Sequence, residues 1–208
     1  MTEIKKLLRG HSAFYEEYFV SRPELYRKLV AEGQSPKVLV ICCSDSRVDP
    51  SIILNAEPGE LFVIRNVANI VPRFEEDKIN CHGTTAAIEY AVKGLEVEDI
   101  IIIGHSHCGG IKTLVEDREN NHTFIDNWLY TLQEVKEKAA GAGLGFRECC
   151  DYCEKEAVLA SLRNLEKFPF VRERINAGRL RLHGWHFCLE SGRIETIGTI
   201  PVPPEKSA

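Results

Sequence analysis

Two short segments of the sequence combine residue types that bind metal ions. Cys43-Ser-Asp-Ser-Arg47 and Gly104-His-Ser-His-Cys-Gly-Gly110 each follow an apolar run directly. Cys43, His105 and Cys108 offer two thiolates and one imidazole, a ligand set that suits zinc. Three protein ligands leave the fourth tetrahedral position open to water, so the pattern predicts a catalytic zinc site. A cysteine at a strand end is often only a small buried hydrophobe, and that interpretation stays open at this point.

The apolar runs before these segments predict the strands that must position them. Lys37–Cys42, Leu61–Ile64 and Asp99–Gly104 are short and rich in β-branched residues, which is typical of parallel strands buried on both faces. Thr84–Gly94 has helical apolar spacing and ends in glycine, so it forms a β-α-β unit with the strands on either side. Because open parallel sheets bind ligands at the carboxyl ends of their strands, we expect both segments to lie at that edge.

The complete pattern indicates an α/β fold with a mainly parallel central β-sheet flanked by helices and with an N-terminal helical arm. We expect one domain over residues 1–208, made of an arm (1–33), an α/β core (34–200) and a tail (201–208). The further predicted elements are helices at Ser12–Val30, Phe124–Ala139 and Asp151–Glu166 and strands at Leu180–His183 and Ile194–Ile197.

Composition and charge exclude several classes of partner. The 208 residues are 44% hydrophobic, which is enough for one sizeable core. A formal charge of −5 creates no basic field for nucleic acid or anionic lipid, and no apolar run is long enough to cross a bilayer. We therefore expect neither nucleic acid nor a membrane as a partner. The first residues lack the apolar stretch of a secretory signal, so the expected location is cytoplasmic, where cysteines stay reduced.

The two signature segments resemble those of the β-class carbonic anhydrases. Further stretches are similar to the plant-type branch of that family, and the resemblance runs in order from about Ser12 to Pro201. These stretches are Gly33-Gln-Ser-Pro-Lys37, Arg65-Asn-Val-Ala-Asn69, Ala86-Ala-Ile-Glu-Tyr-Ala-Val92, Cys153-Glu-Lys-Glu-Ala-Val158, Asn164-Leu165 and Phe168-Pro-Phe-Val171.

The resemblance implies a reaction and a role for each matching residue. The reaction is the reversible hydration of carbon dioxide to bicarbonate and a proton by a carbonate dehydratase with one Zn²⁺ per chain. Cys43, His105 and Cys108 match the zinc ligands, and Asp45 and Arg47 match a catalytic pair beside the metal. The residues that match a narrow substrate pocket are Gln34, Phe62, Val67, Tyr90 and Gly109, the last through its backbone amide. Part of that pocket comes from a neighbouring subunit in the family, so a dimer or tetramer is implied.

A physical role for Asp45 and Arg47 follows from the charge of the predicted site. Zinc lowers the pKa of its bound water, and zinc-bound hydroxide then attacks carbon dioxide. Two thiolates cancel the charge of the ion and weaken this effect, so groups around the ligands must compensate. Arg47 favours ionised Asp45, whose carboxylate can orient the hydroxide. Alternatively the carboxylate closes onto zinc as a fourth ligand, or the two residues form an ordinary surface ion pair.

Several alternatives remain open from the residues alone. A carbonyl sulfide or carbon disulfide hydrolase could use the same scaffold, and a zinc-binding regulatory protein could have lost turnover. His107 stands between two predicted ligands and is either a proton relay or an incidental polar residue. Cys150 and Cys153, preceded by Cys149, have the spacing of a redox or zinc motif but lack a second ligand pair.

Overall fold

The computed structural model describes residues 2–75, 83–116 and 123–200, which divide by their contacts into a unit ending at Ser35 and a unit beginning at Pro36. The predicted tail 201–208 lies outside the described residues. The assignment of both units to one domain stays a prediction. The fold class is confirmed, because the second unit is built on a mostly parallel five-stranded sheet flanked by helices and the first unit is helical.

The N-terminal unit consists of α1 (Glu3–Tyr15), a π-helical segment (Glu16–Ser21) and α2 (Pro23–Glu32). The predicted single helix Ser12–Val30 is therefore wrong in its bounds and is interrupted at Arg22, whose φ is −132°. The interruption arises because proline disfavours helical backbone in the preceding residue while fitting the first position of a new helix. Contacts among the rings of Phe14, Tyr18, Phe19 and Tyr26 hold the segments together.

The sheet of the second unit has the strand order β2-β1-β3-β4-β5. Its strands are β1 (Val38–Cys43), β2 (Leu61–Asn66), β3 (Asp99–His105), β4 (Arg181–Phe187) and β5 (Ile194–Ile200). The first four pair in parallel, and β5 pairs antiparallel with β4. The isoleucine run Ile100–Ile103 is buried throughout, as expected for a strand covered on both faces. Each predicted strand is present, and each ends at a later residue than predicted.

Helices and short helical turns connect the strands, and their bounds differ from the predictions. The helices are α3 (Pro50–Ile53), α4 (Gly83–Glu89), α5 (Gly109–Val115), α6 (Phe124–Leu129), α7 (Gln133–Gly141), α8 (Phe146–Leu165) and α9 (Pro169–Asn176). A π-helical segment (Tyr90–Gly94) continues α4, and 3₁₀ turns occupy Val67–Asn69 and Tyr130–Leu132. Thus the predicted helix Phe124–Ala139 is broken into two, and the helix predicted at Asp151 begins at Phe146 instead. None of the described helices is both long and apolar enough to span a membrane.

Helix α8 packs closely on β3 and β4 because two strand glycines leave room for it. A Cβ atom on Gly104 would lie 2.6 Å from Val158 Cγ2, and one on Gly184 would lie 2.8 Å from Leu162 Cδ1. Both distances are shorter than a normal carbon contact, so neither position accepts a side chain without movement. The buried face of α8 therefore packs against β3 close to the point where the strand ends.

Candidate metal centre

The three predicted metal ligands meet at the carboxyl ends of two neighbouring strands. Cys43 is the last residue of β1, and His105 is the last residue of β3, its neighbour in the sheet. Cys108 stands three residues further on, immediately before α5. The ligand atoms of all three side chains lie within 4.8 Å of one another, and all three residues are buried. In the part of the chain that the structure describes, this is the one group of three or more such residues close enough to hold a metal ion.

The donor atoms of this group are arranged as a metal site requires. The backbone carbonyl of Ser106 accepts a hydrogen bond from His105 Nδ1 (2.9 Å), which leaves Nε2 as the unprotonated nitrogen. That Nε2 is buried and has no hydrogen-bond partner among the described residues. Buried polar atoms normally have a partner, and a ligating histidine usually donates its other nitrogen in this way. Two sulfurs and an imidazole nitrogen fit zinc, so the residues present suit this metal.

The two thiols of the group lie in direct contact. Their Sγ atoms lie 3.9 Å apart. The hydrogen bond from Cys108 lowers the pKa of Cys43 to about 4, and the same contact, with burial, raises the pKa of Cys108. By contrast, burial raises the pKa of both Cys42 and Cys153 to about 12. Cys43 therefore ionises readily, whereas Cys42 and Cys153 do not. A divalent cation would neutralise the negative charge that Cys43 and Cys108 carry as thiolates.

The histidine responds to the same charge. Burial acts to lower the pKa of His105, but the neighbouring Cys43 raises it overall. A positive ion between the two side chains would replace this attraction.

Asp45 and Arg47 form a two-pronged pair beside the metal ligands. Arg47 Nε donates to Asp45 Oδ1 (2.9 Å), and Nη2 donates to Oδ2 (2.7 Å). The backbone N–H of Arg47 donates to Oδ1 as well (2.9 Å). The Arg47 guanidinium holds the pKa of the Asp45 carboxyl well below its usual range. The Asp45 side chain is only 17% exposed, although Arg47 reaches solvent. The pair therefore differs from an ordinary ion pair between two exposed side chains.

Arg65 holds the turn between Cys43 and Asp45 in place. Its Nε and Nη2 donate to the backbone carbonyls of Cys43 (3.2 Å) and Asp45 (2.7 Å). Its Nη1 donates to Asp49 Oδ2 (3.0 Å), and Asp49 in turn caps α3. In the sequence Arg65 is notable only as part of the family-like stretch Arg65-Asn-Val-Ala-Asn69. Its place at the end of β2, beside the end of β1, is the signal that it could reach this turn.

A buried carboxylate supports the other side of the centre. Glu154 Oε1 accepts a hydrogen bond from the backbone N–H of Cys108 (3.1 Å), and Oε2 lies 3.8 Å from His186 Nε2. Both side chains are buried. Sequence reasoning missed Glu154 because it stands in a charged run, Glu154-Lys-Glu156. The helical spacing gave a signal, since Glu154 is four residues from both Cys150 and Val158 on the buried face of α8.

The residues predicted for the substrate pocket occupy several places. The rings of Phe62 and Tyr90 lie side by side, with centroids 5.8 Å apart. Val67 approaches the metal-ligand segment, because a Cβ on Gly110 would lie 2.8 Å from Val67 Cγ1. Gly109 is the exposed first residue of α5. Gln34 is exposed and belongs to the N-terminal unit. Their contact with substrate stays a prediction.

Two other motifs lie apart from the metal ligands. The His107 ring contacts Glu190 and Arg147 instead of joining the ligand group. Cys149, Cys150 and Cys153 are buried free thiols within α8. They therefore pack as core residues in the described structure.

Comparisons with known proteins agree with this architecture and site. Residues 38–194 match the sequence profile of the family described as Carbonic anhydrase. The chain is 41% identical over 198 residues to Beta carbonic anhydrase 3 of Arabidopsis thaliana, which covers 92% of this chain and 76% of that protein. The structure of the β-carbonic anhydrase CcaA is 35% identical, with a TM-score of 0.87 over 95% of this chain and 96% of that chain.

A further structure carries the same fold. A tetrameric β-carbonic anhydrase from Sordaria macrospora is 35% identical, with a TM-score of 0.84 over 95% of this chain and 98% of that chain. The chain therefore belongs to the β-class carbonic anhydrases. It is a zinc-dependent carbonate dehydratase, a lyase that hydrates carbon dioxide. The hydrolase and regulatory alternatives are not favoured.

Proposed function

We propose that this chain hydrates carbon dioxide at a zinc ion held by Cys43, His105 and Cys108, with Asp45 and Arg47 as the pair that orients the attacking oxygen. One observation carries the proposal: three buried ligand atoms converge within 4.8 Å, and the histidine presents an unpartnered Nε2 to the others. Core packing alone does not explain an orphaned buried nitrogen close to two thiols, because such an atom loses its hydrogen bond to water on folding.

Zinc, when bound here, supplies Lewis acidity that makes water a nucleophile near neutral pH. The chain supplies orientation. Arg47 holds Asp45 ionised, and with zinc bound that carboxylate would accept a hydrogen bond from the attacking oxygen and so direct a lone pair of that oxygen toward the carbon of carbon dioxide. We further propose that the backbone amide of Gly109, the first residue of α5, donates to a bicarbonate oxygen. Each turnover consumes one water and releases bicarbonate, and the proton that the water loses passes to solvent or buffer.

The arrangement of the pair supports an orienting role for Asp45 in preference to closure onto the metal. Both carboxylate oxygens accept hydrogen bonds from Arg47, and a backbone N–H binds one of them as well. Moving the carboxylate onto the metal would break these charge-assisted bonds, which are about twice as strong as neutral ones. Arg47 therefore opposes closure.

The orienting role is tested by replacing Asp45 with asparagine in zinc-loaded protein. Asp45→Asn should retain zinc and lower kcat for carbon dioxide hydration by about 10- to 100-fold, the usual effect of losing a group that supports a metal site. Glu134→Gln is the matched control, because it neutralises an exposed carboxylate paired with Arg73. Stopped-flow hydration with parallel zinc analysis measures both. Equal kcat in Asp45→Asn and the wild type contradicts the role, and faster hydrolysis of carbonyl sulfide than hydration of carbon dioxide would restore the hydrolase alternative.

We also propose that the chain works as a dimer or tetramer of identical subunits. The Sordaria macrospora relative is tetrameric. Here an apolar surface carries Phe124, which is 97% exposed, and such exposed patches favour association. The residues around it are Val63, Val67, Ala87, Ile125 and Trp128. Light scattering after gel filtration should give at least twice the mass of one chain, and Phe124→Asp should reduce it. A monomeric wild type would contradict the proposal.

A cytoplasmic location and the absence of nucleic acid and membrane partners are proposed as well. None of the seven cysteines in the described ranges is in a disulfide, which suits a reducing compartment. The formal charge of −5 disfavours binding to polyanions. Cell fractionation tests the location. Recovery with membranes, or retention on nucleic acid at moderate salt, would contradict these proposals.

A further inference from the structure

His107 connects two distant elements to the segment that carries the zinc ligands. Its Nδ1 lies 2.6 Å from Arg147 Nη1, at the start of α8, and its Nε2 contacts Glu190 Oε1, in the turn after β4. Arginine only donates hydrogen bonds, so Nδ1 is the acceptor and Nε2–H donates to Glu190. Both ring nitrogens therefore have partners. The proton-relay alternative for His107 stays a prediction.

The backbone of the same residue contacts the catalytic pair. The His107 carbonyl accepts a hydrogen bond from Arg47 Nη2 (3.1 Å), and the same nitrogen donates to Asp45 Oδ2 (2.7 Å). The two hydrogens of Nη2 are thus divided between the carboxylate and this carbonyl. Because the guanidinium is a rigid planar fork, the position of the carbonyl helps to set the plane in which Arg47 presents its donors to Asp45.

The His107 backbone needs support from its side chain. Its φ is +56°, a left-handed conformation that non-glycine residues rarely adopt and that persists only where surrounding contacts hold it. Glu190 is itself fixed, because its Oε2 accepts from Ser106 Oγ (2.8 Å) and lies within bonding range of Cys188 Sγ (3.2 Å). The ring is therefore held between an anchored carboxylate and a helix.

We propose that Arg147 and Glu190 are positioning residues for the catalytic pair: they grip the His107 ring, the ring holds its carbonyl in place, and the carbonyl aligns Arg47 with Asp45. The inference rests on the proposed orienting role of Asp45 and deepens it. Neither Arg147 nor Glu190 belongs to the metal-ligand group.

The expected effect is moderate because water competes for these contacts. The side chains of His107, Arg147 and Glu190 are 44%, 49% and 54% exposed. Exposed charged contacts have small energies, so each of Arg147→Met and Glu190→Ala should lower kcat by about three- to fivefold, and the double variant by about tenfold. KM and zinc content should not change. Glu190→Gln keeps an acceptor oxygen and should retain most of kcat.

A matched control joins the same two parts of the fold without contacting His107. Lys155 of α8 donates to Glu195 of β5 (2.7 Å), and both side chains are exposed. Lys155→Met removes a positive charge from α8, as Arg147→Met does, and Glu195→Ala removes a negative charge from the β4–β5 hairpin, as Glu190→Ala does. The controls therefore show how much activity is lost when any ion pair between this helix and this hairpin is broken. Both controls should keep kcat within twofold of the wild type.

A second background separates positioning from general structural support. His107→Gly removes the ring and tolerates a positive φ. It should lower kcat by about tenfold, and adding Arg147→Met or Glu190→Ala to it should cause no further loss, because the ring through which they act is gone. The assays are stopped-flow hydration and zinc analysis of zinc-loaded protein.

The outcomes distinguish this inference from the function on which it rests. The positioning role is wrong if Arg147→Met and Glu190→Ala resemble the controls, if they lose zinc, or if their effects persist unchanged in His107→Gly. A large loss in Asp45→Asn combined with silent Arg147 and Glu190 variants overturns the positioning role alone. Full activity in Asp45→Asn overturns the orienting role and this inference together.

Discussion

Gly104→Ala should disturb the contact between the metal-bearing strand and the long helix behind it. The new Cβ would lie 2.6 Å from Val158 Cγ2 and 3.2 Å from the Glu154 backbone oxygen. Val158 is fully buried, and a helical valine has one strongly preferred rotamer, so its methyl group cannot turn away. Strand and helix must therefore separate by several tenths of an ångström. That movement displaces His105, the next residue, and Glu154, which binds the Cys108 amide.

Overpacking of this kind costs about 1–3 kcal/mol of unfolding free energy. Val158→Ala removes the opposing methyl group and alone should cost about 2 kcal/mol through the cavity it leaves. In the double variant the added and removed atoms partly compensate, so its loss should be smaller than the sum of the two by about 1 kcal/mol. The contact with the Glu154 carbonyl remains, so rescue is incomplete. Urea unfolding of zinc-loaded protein measures all three variants.

Gly109→Ala is the control within the same segment, because a Cβ there meets nothing within 4 Å. Its unfolding free energy should stay within about 0.5 kcal/mol of the wild type. The packing argument is refuted if Gly104→Ala is as mild as Gly109→Ala. It is equally refuted if the losses of Gly104→Ala and Val158→Ala simply add, since additivity means that the two sites do not touch.

Two further predictions concern buried and half-buried carboxylates. Glu154→Ala leaves the buried N–H of Cys108 without an acceptor, so the unfolding free energy of zinc-loaded protein in urea should fall by about 1–3 kcal/mol. Glu154→Gln keeps an acceptor oxygen and should lose less, and equal losses in the two variants would contradict this prediction. Burial acts to raise the pKa of Asp99, but hydrogen bonds from Arg181 and His183 lower it overall. A lowered pKa stabilises the fold above the ordinary value of 3.8 and ceases to do so as pH falls through the folded value. Asp99→Asn should therefore be less stable than the wild type at pH 7 by about 1.5 kcal/mol, and this difference in unfolding free energy should narrow below pH 3.8. A difference that does not change with pH would contradict the lowered pKa of Asp99.

Local pattern was enough to predict the sheet and the convergence of the ligands. The β-branched runs before Cys43 and Gly104 are apolar at nearly every position, which is typical of a strand covered on both faces. Once two such strands are parallel neighbours, their carboxyl ends meet, and the residues that follow them must lie close together. The position of the metal centre therefore follows from the sheet topology, which the sequence predicts.

The contacts that support the metal ligands and the catalytic pair could not be predicted in the same way. Each depends on the register of strand pairing, on the rotation of a helix about its axis, or on a contact between residues far apart in the sequence. Arg65 reaches the turn after Cys43 only because β2 pairs with β1 in the register that places Asn66 opposite Cys43. Glu154 is buried because α8 packs against the strand glycines, whereas its charged sequence context is typical of an exposed face. Glu190 meets His107 across 83 residues of sequence, a contact that no local pattern encodes.

The number and type of ligands on the bound metal test the central claim most directly. The native protein should contain one zinc per chain, and its zinc K-edge absorption should fit two sulfur neighbours at about 2.3 Å and one imidazole nitrogen at about 2.0–2.1 Å. Cys43→Ser should lose a sulfur neighbour or the metal altogether, and His105→Ala should lose the metal with its activity. Protein purified without stoichiometric metal, or a sulfur count unchanged in Cys43→Ser, would contradict the account.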